Sequence, residues 1–139
     1  MPAALRRFGL CLLFCLTAAG CGSGLYPVQG KVTLDNGTPL GKGMVVFESV
    51  DGAQMARGMI RPDGSYELST GKPGDGVKPG RYRVLVSALD MTDVPDERKK
   101  LPFDIKYTRF ETSGLQFEVE AGPNDISIKL DRPSPRRRS

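Results

Sequence analysis

The sequence has no histidine and no tryptophan, and only three of its 139 residues are cysteines. Without histidine there is no imidazole to activate a serine or cysteine nucleophile, and no imidazole ligand for a metal ion. Hydrolysis by carboxylates alone needs two acids that face one cleft, and the acidic residues fall mostly on outward strand positions or in loops. These absences favour a protein that is not an enzyme and that needs no cofactor or metal ion.

Long apolar runs are missing as well, except close to the N-terminus. The uncharged run over residues 8–19 follows Arg6 and Arg7 and precedes a group of small residues, which is the order found in a signal peptide. A helix over that run would be about 18 Å long, too short for a hydrocarbon core of about 30 Å. We therefore predict that residues 1–20 are a signal peptide rather than a membrane span.

A cysteine follows the small residues directly. The stretch LTAAGC, residues 16–21, resembles the bacterial lipobox, in which the thiol is acylated before cleavage, although Ala18 stands where leucine is usual. The other two cysteines would leave with the signal peptide, so Cys21 would be the single thiol of the mature chain and could form no internal disulfide. We predict that lipid on Cys21 anchors a short linker, residues 21–26, to the membrane. Ordinary cleavage after an A-x-A-like site is the alternative.

The folded body lacks an excess of positive charge. The formal net charge is +4, but residues 22–131 hold 14 basic against 16 acidic side chains. A nucleic-acid partner is therefore not expected, because it would require a basic surface. The last eight residues, RPSPRRRS at 132–139, combine prolines and arginines and predict a disordered basic tail.

Between these termini, apolar and polar residues alternate in short runs that glycine, proline and asparagine interrupt, which predicts half-buried strands. Asn36-Gly37 predicts a type I′ turn between the first two strands, and Pro62-Asp63-Gly64 predicts another tight turn. The apolar run from Met44 to Phe47 is typical of a strand that is covered on both faces. Together these signals indicate an all-β, antiparallel Greek-key sandwich. The seven predicted strands are 27–34, 42–49, 55–61, 65–70, 81–88, 115–121 and 125–130.

The same alternation predicts which side chains point into the core. Apolar side chains of one parity face inward along each strand, and the polar side chains between them face outward. The predicted core residues are Val28, Val32, Leu34, Tyr66, Leu68, Tyr82, Val84, Val86, Leu115, Phe117, Val119, Ile126, Ile128 and Leu130.

Several motifs occur in a fixed order along this body. They are GKVTLD, a turn that ends in Pro39-Leu40, GMVVF, PDGSYEL, PGRYRV and, further on, LP, KY and SGLQFEV. In this order they resemble the carboxypeptidase regulatory-like, or transthyretin-like, β-sandwich domain, and the later motifs are similar to those of small bacterial lipoproteins that carry it. The resemblance covers residues 27–131. It implies a seven-stranded prealbumin-like sandwich without catalytic activity.

One long segment, residues 89–112, has no sustained alternation and is rich in charge. Loops of this length are often functional, so we predict a contact loop here, with Phe103, Tyr107 and Phe110 as an exposed aromatic cluster. The alternative is that these residues fold back and cover a sheet edge. Interleaved lysines and arginines favour a solvated loop over a calcium site at its acidic residues, which are Asp90, Asp93, Asp96, Glu97 and Asp104.

These features predict a lipid-anchored, non-enzymatic β-sandwich module of the cell envelope, with a binding or scaffolding role. Its partners would be the membrane, through Cys21, and an envelope protein or polysaccharide. Gly22 is not the aspartate that retains some lipoproteins in the inner membrane, which favours the outer membrane, facing the periplasm or the cell surface. The alternatives are a carbohydrate-binding module, in which Tyr107 would stack on a sugar, and a secreted subunit of an envelope assembly.

Overall fold

The computed structural model describes residues 24–88 and 101–135 of the chain. The predicted signal peptide, Cys21, residues 89–100 of the long loop and the last four residues of the tail lie outside the described residues. No helix in the described ranges is long and apolar enough to cross a membrane. The strands are β1 (Val28–Leu34), β2 (Met44–Ser49), β3 (Met55–Met59), β4 (Ser65–Glu67), β5 (Gly80–Ser87), β6 (Leu115–Val119), β7 (Asn124–Asp125) and β8 (Ile128–Leu130). A 3₁₀ turn (Ile105–Thr108) and the one-turn helix α1 (Phe110–Ser113) precede β6.

The strands form two sheets. Sheet I contains β4, β1, β7 and β8, with β1 in the centre, and sheet II has the order β3-β2-β5-β6. Their inner faces meet in one core: the ring of Phe47 in sheet II lies 6.5 Å from that of Tyr66 in sheet I. The predicted all-β sandwich is therefore confirmed. The structure has eight strands in the described ranges rather than seven, because the last predicted strand is interrupted at Ile126 and Ser127.

One part of the pairing differs from the antiparallel prediction. Both β7 and β8 run parallel to β1, while every other strand pair is antiparallel. The reason lies in the preceding strand: β6 ends beside Gly80, at the end of the sandwich where β1 also begins. A short turn then sends the chain back in the direction of β1. The Asn124 side chain fixes this turn, because it accepts a hydrogen bond from the Glu120 N–H (2.9 Å) and donates one to the Gly122 carbonyl (2.9 Å).

The inward side chains agree with the sequence pattern. All predicted core residues are buried except Leu115 and Phe117, which are half-buried and pack against the core. The central strand β2 is fully covered on its inner face and only partly on its outer face, where Val46 is 8% exposed but Met44 and Glu48 are half-buried. Burying each of these large apolar side chains stabilises the fold by about 1.5–3 kcal/mol.

The turn at Asn36-Gly37 exists, but the type I′ prediction is wrong. Only Gly37 has positive φ (84°), and its N–H donates to the Leu34 carbonyl (2.9 Å). The Leu34 N–H donates in turn to the Thr38 carbonyl (2.8 Å), so the connection is a three-residue loop with a bulge at glycine. The predicted hairpin partner is also wrong: the chain leaves sheet I after Leu40, and β2 pairs with β3 and β5 in sheet II.

Segments that lie outside the main strands close the two open sides of the sandwich. On one side, Arg57 in β3 exchanges two backbone hydrogen bonds with Ser69 (3.0 and 2.9 Å). On the other side, residues 101–113 contact both sheets. The Asp104 N–H donates to the Asp131 carbonyl after β8 (2.9 Å), and the Ser113 hydroxyl donates to the carbonyl of Val84 in β5.

The two ends of the sandwich are built from different segments. The end where β1 begins, here called the N-terminal end, comprises residues 24–27, 49–54, 70–80 and 120–123, and a paired bridge between Tyr26 and Val77 joins the first and third of these segments. The opposite end carries residues 35–43, 60–64 and 131–135.

Candidate functional site

The predicted aromatic contact loop does not form an exposed cluster. Phe103 is fully buried, Tyr107 is 5% exposed, and Phe110 is half-buried. The prediction of exposed rings is therefore wrong for Phe103 and Tyr107. The physical reason is packing: their rings meet edge to face with centroids 6.4 Å apart, and both belong to the central core. This arrangement is the alternative in which the loop folds back over the sandwich.

Tyr107 also fixes the chain after β8. Its hydroxyl donates to the Asp131 carboxylate (2.8 Å) and accepts the Asp131 N–H (3.2 Å). The Lys106 ammonium donates to the same carboxylate (2.9 Å), and these two hydrogen bonds, that from Lys106 first, hold the pKa of Asp131 below its usual value. The Tyr107 side chain therefore makes its contacts within the fold, and its ring offers no stacking surface to a sugar.

The acidic residues of the long loop form no metal site within the described part of the chain. Asp104 accepts the Lys106 N–H (3.0 Å) and so caps the 3₁₀ turn, while the other four predicted acids lie outside the described residues. Within residues 24–88 and 101–135, no group of three or more cysteine, aspartate or glutamate side chains is placed to hold a metal ion.

A serine and an aspartate meet beside a cleft at the N-terminal end. The Ser49 hydroxyl donates to the Asp51 carboxylate and accepts the Gln54 N–H (2.9 Å). The bond from Ser49, followed by that from the Ala53 N–H, lowers the pKa of Asp51. These hydrogen bonds brace the β2–β3 turn, and the sequence contains no histidine that could complete a Ser-His pair.

The outer faces of the two sheets differ in chemistry. Sheet I presents only polar side chains outward, which are Gln29, Lys31, Thr33, Ser65, Glu67, Asp125, Ser127 and Lys129. Sheet II presents an apolar patch instead, hereafter the methionine face, which consists of Met44, Val46, Met55, Arg57, Met59 and Leu85.

Strand register brings the methionine face together. Met44 on β2 lies opposite Met59 on β3, and Val46 lies between Arg57 and Leu85. Met55 and Met59 are each 44% exposed, which places two large apolar side chains in solvent on one edge strand. Methionine is flexible and polarisable, so such a patch adapts to the shape of a partner.

Two arginines on this side of the molecule are held differently. Arg83 at the border of the face is fixed, because it forms an ion pair with Glu48 (3.2 Å) and its guanidinium lies 5.2 Å from the centre of the Phe110 ring. Its Nε atom is buried and has no hydrogen-bond partner among the described residues. Arg57 is more open: its guanidinium contacts the Met55 sulfur (3.7 Å) and forms no ion pair within the described part of the chain. Arg57 is therefore placed to receive a carboxylate.

Comparison with known proteins identifies no family. No family model matches the sequence, and no curated protein matches it. Among solved structures, similarity is found to the Bacillus anthracis TIE protein, with a TM-score of 0.41 and 10% sequence identity, over 77% of this chain and 17% of that one. The chain thus spans less than a fifth of that protein's length, and a similarity at this level supports no inference about function.

The methionine face was absent from the sequence-based prediction, although two signals for it are present. The apolar run from Met44 to Phe47 places apolar side chains on both faces of β2, and the segment MARGM places Met55 and Met59 on one face of β3. What the sequence does not show is that β3, β2 and β5 lie side by side, which combines these residues into one surface.

Proposed function

We propose that the protein is a lipid-anchored β-sandwich module of the bacterial cell envelope that binds a partner protein through the methionine face and has no catalytic activity. The observation that carries the proposal is the contrast between the two outer faces. One is polar throughout, and the other exposes Met55 and Met59 beside the open guanidinium of Arg57.

The chemistry of this face defines the partner. Burial of apolar area is the main favourable contribution to most protein–protein association, and the methionines supply such area. Arg57 lies at the middle of β3, opposite Val46, so a partner carboxylate could pair with it inside an apolar surround. We therefore expect an envelope protein that presents apolar side chains around an acidic residue.

Site-specific photo-crosslinking tests this proposal in the producing bacterium. A photoreactive amino acid at position 59 should give one adduct of defined mass in the full lipidated protein. The same amino acid at position 31, on the polar outer face of sheet I, is the matched control and should give none.

Charge reversal then tests the role of Arg57. Arg57→Glu should remove the adduct at position 59 while the far-ultraviolet circular dichroism spectrum stays unchanged, because the guanidinium is exposed. Equal adducts from positions 59 and 31, or an adduct that Arg57→Glu leaves intact, would contradict binding through the methionine face.

Membrane anchoring through Cys21 is a separate part of the proposal. The lipobox-like sequence supports it, and two or more acyl chains would give stable anchoring, whereas one chain binds only reversibly. The intact mass of the mature protein should equal residues 21–139 plus acyl chains, and Cys21→Ser should abolish partitioning into detergent. An unmodified, freely secreted chain would instead support the secreted-subunit alternative. Fractionation of the two membranes tests the proposed outer-membrane location.

The family relationship also remains a proposal, supported by the order of motifs along residues 27–131. We infer that the chain is a carboxypeptidase regulatory-like domain. Binding of a polysaccharide gains no support from the aromatic side chains, since no ring in the described part of the chain is fully exposed.

A further inference from the structure

The chain enters the sandwich at a fixed point. Tyr26 exchanges two backbone hydrogen bonds with Val77, each 2.8 Å long. The contact is close, because a Cβ atom added at Gly76 would lie 2.3 Å from the Tyr26 carbonyl oxygen. Tyr26 is therefore held against residues 70–80, and the chain that leads to Cys21 starts from the N-terminal end.

The length of that leading chain limits how the body can be oriented. Four residues lie between Cys21 and Tyr26, so the tether spans five residue steps and reaches at most about 18 Å when fully extended. Strand β5, with eight residues, is about 26 Å long. If the opposite end touched the bilayer, Tyr26 would stand further from the surface than the tether can reach. An acyl group on Cys21 therefore brings the N-terminal end toward the membrane.

The exposed side chains of this end suit a lipid surface. Val50, at the tip of the β2–β3 turn, is 57% exposed, Pro79 lines the same cleft, and Pro73 is exposed in the segment 70–80 of this end. Placing such side chains at the boundary between headgroups and acyl chains costs little free energy.

This end carries exposed cations and three acids, of which Asp51 and Asp75 accept hydrogen bonds and Glu120 is exposed. Lys72 and Lys78, and Arg81 directly after this end in β5, are exposed and form no ion pair within the described residues. The Asp75 carboxylate instead accepts three backbone hydrogen bonds, from the N–H groups of residues 70, 71 and 72 (2.7, 2.9 and 2.8 Å). Asp51 is likewise bonded to Ser49 and to the Ala53 N–H. The cations are thus available to an external anion.

We propose that the N-terminal end lies on the bilayer surface, with Lys72, Lys78 and Arg81 at the phosphate groups of anionic lipids and Val50 at the interface. This orientation rests on the proposed acylation of Cys21. It directs residues 131–135 away from the membrane and leaves the methionine face, which runs along the side of the sandwich, open to a partner.

Depth-dependent fluorescence tests the orientation with the mature acylated protein. Lys78→Cys and, at the opposite end, Thr38→Cys each supply a single reactive thiol, because Cys21 carries lipid. Labelled proteins are reconstituted into vesicles of phosphatidylcholine and phosphatidylglycerol that contain a headgroup-linked quencher. We expect quenching at position 78 to exceed that at position 38 at least threefold.

Two measurements separate failure of the orientation from failure of the anchor. Flotation with the vesicles and the intact mass report acylation directly. A protein that floats and carries acyl chains, but is quenched equally at both positions or more strongly at position 38, would overturn the orientation alone. A chain without acyl groups would overturn the orientation together with its anchor.

A charge variant tests the headgroup contact. Lys72→Glu/Lys78→Glu should lower the quenching of a label on Ala53→Cys at least twofold, because like charges then repel at the anionic surface. Lys31→Glu/Lys129→Glu, on the outer face of sheet I, changes the net charge equally and should have no effect. Unchanged quenching in the first variant would overturn the role of the cations.

Discussion

At the scale of single residues, the closest packing lies where β1 passes the segment between β7 and β8. A Cβ atom added at Gly30 would lie 1.9 Å from the Ile126 carbonyl oxygen, and the same oxygen accepts a 2.6 Å hydrogen bond from the Tyr66 hydroxyl. Burial, followed by the charge of Asp125, raises the pKa of Tyr66, so its hydroxyl is protonated at neutral pH and donates this hydrogen bond. The missing side chain of Gly30 and the hydroxyl of Tyr66 thus fix the parallel strands of sheet I.

Removing the Tyr66 hydroxyl should destabilise the fold without changing its shape. Tyr66→Phe leaves the buried Ile126 carbonyl without this donor, which costs about 1–3 kcal/mol. The measurement is urea unfolding at neutral pH. Tyr26→Phe is the control, because the Tyr26 hydroxyl makes no hydrogen bond within the described residues. A similar loss of unfolding free energy in both variants would contradict a stabilising role for the hydrogen bond from Tyr66 to Ile126.

Gly30→Ala should be much more damaging than the same change elsewhere. At Gly30 the added methyl group overlaps backbone, which cannot move without separating β1 from β7. At Gly114 the methyl group meets nothing within 4 Å, and only the positive φ of 66° opposes it, which costs about 1 kcal/mol. We expect Gly114→Ala to unfold cooperatively and Gly30→Ala to yield no folded protein. Equal stability of the two variants would show that the strands separate easily.

At the scale of elements, the turns share one device. In three of them a polar side chain just before a glycine accepts the N–H two residues further on. These are Asn36 to Thr38 (3.1 Å), Asp51 to Ala53 (3.0 Å) and Asp63 to Ser65 (3.0 Å). The side chain satisfies a backbone donor that no strand can reach, and glycine supplies the positive φ that follows. The loop at residues 69–76 extends this device, because the single carboxylate of Asp75 accepts three N–H groups.

The Asp75 loop should make stability depend on pH. Hydrogen bonds from the N–H groups of Lys72, Thr70 and Gly71 lower the pKa of Asp75 below its usual value of 3.8. The folded state therefore binds this proton more weakly than the unfolded state does. The stabilisation is complete above the unfolded-state pKa and is lost as the pH falls through the lower, folded-state pKa.

Unfolding curves at several pH values measure this effect. Asp75→Asn should lower stability at pH 7, and the difference from the natural protein should shrink as the pH falls below about 4. Asp125→Asn is a suitable control, because no backbone N–H in the described part of the chain donates to that side chain. A difference between Asp75→Asn and the natural protein that does not change with pH would contradict the role of the carboxylate charge.

At the scale of the whole molecule, segments outside the main strands complete the sandwich. Ser69 joins β3 to the chain after β4, and residues 101–113 fill the other side with Phe103 and Tyr107. With both sides occupied, the described part of the chain offers the differences between its outer faces and between its two ends as features available for binding. The proposed partner contact uses the methionine face, and the proposed membrane contact uses the N-terminal end.

Phe103→Ala should show that the segment at 101–113 is part of the core. Removing a fully buried phenylalanine ring costs about 3–5 kcal/mol, because the cavity cannot collapse completely. Phe110→Ala removes an equal ring from a half-buried position and should cost clearly less. Thermal unfolding of both variants tests this, and equal losses would place Phe103 outside the core.

Features that depend on near neighbours in the chain follow from the amino-acid sequence. Alternation fixes which face of each strand is apolar, so it predicted the inward position of Val28, Tyr82 and Ile128 and the sandwich class. The glycines at positions 37 and 64 predicted turns for the same local reason. The absence of histidine removed imidazole chemistry irrespective of the fold.

The tertiary structure alone decided how distant segments meet. The burial of Phe103 and Tyr107 depends on a gap between two sheets that no local pattern reports, and the parallel course of β7 depends on the end of the sandwich at which β6 stops. The methionine face likewise requires β3 and β5 to flank β2. An exposed ring and a buried ring have the same local sequence signal, because burial is a property of what packs against the residue from elsewhere in the chain.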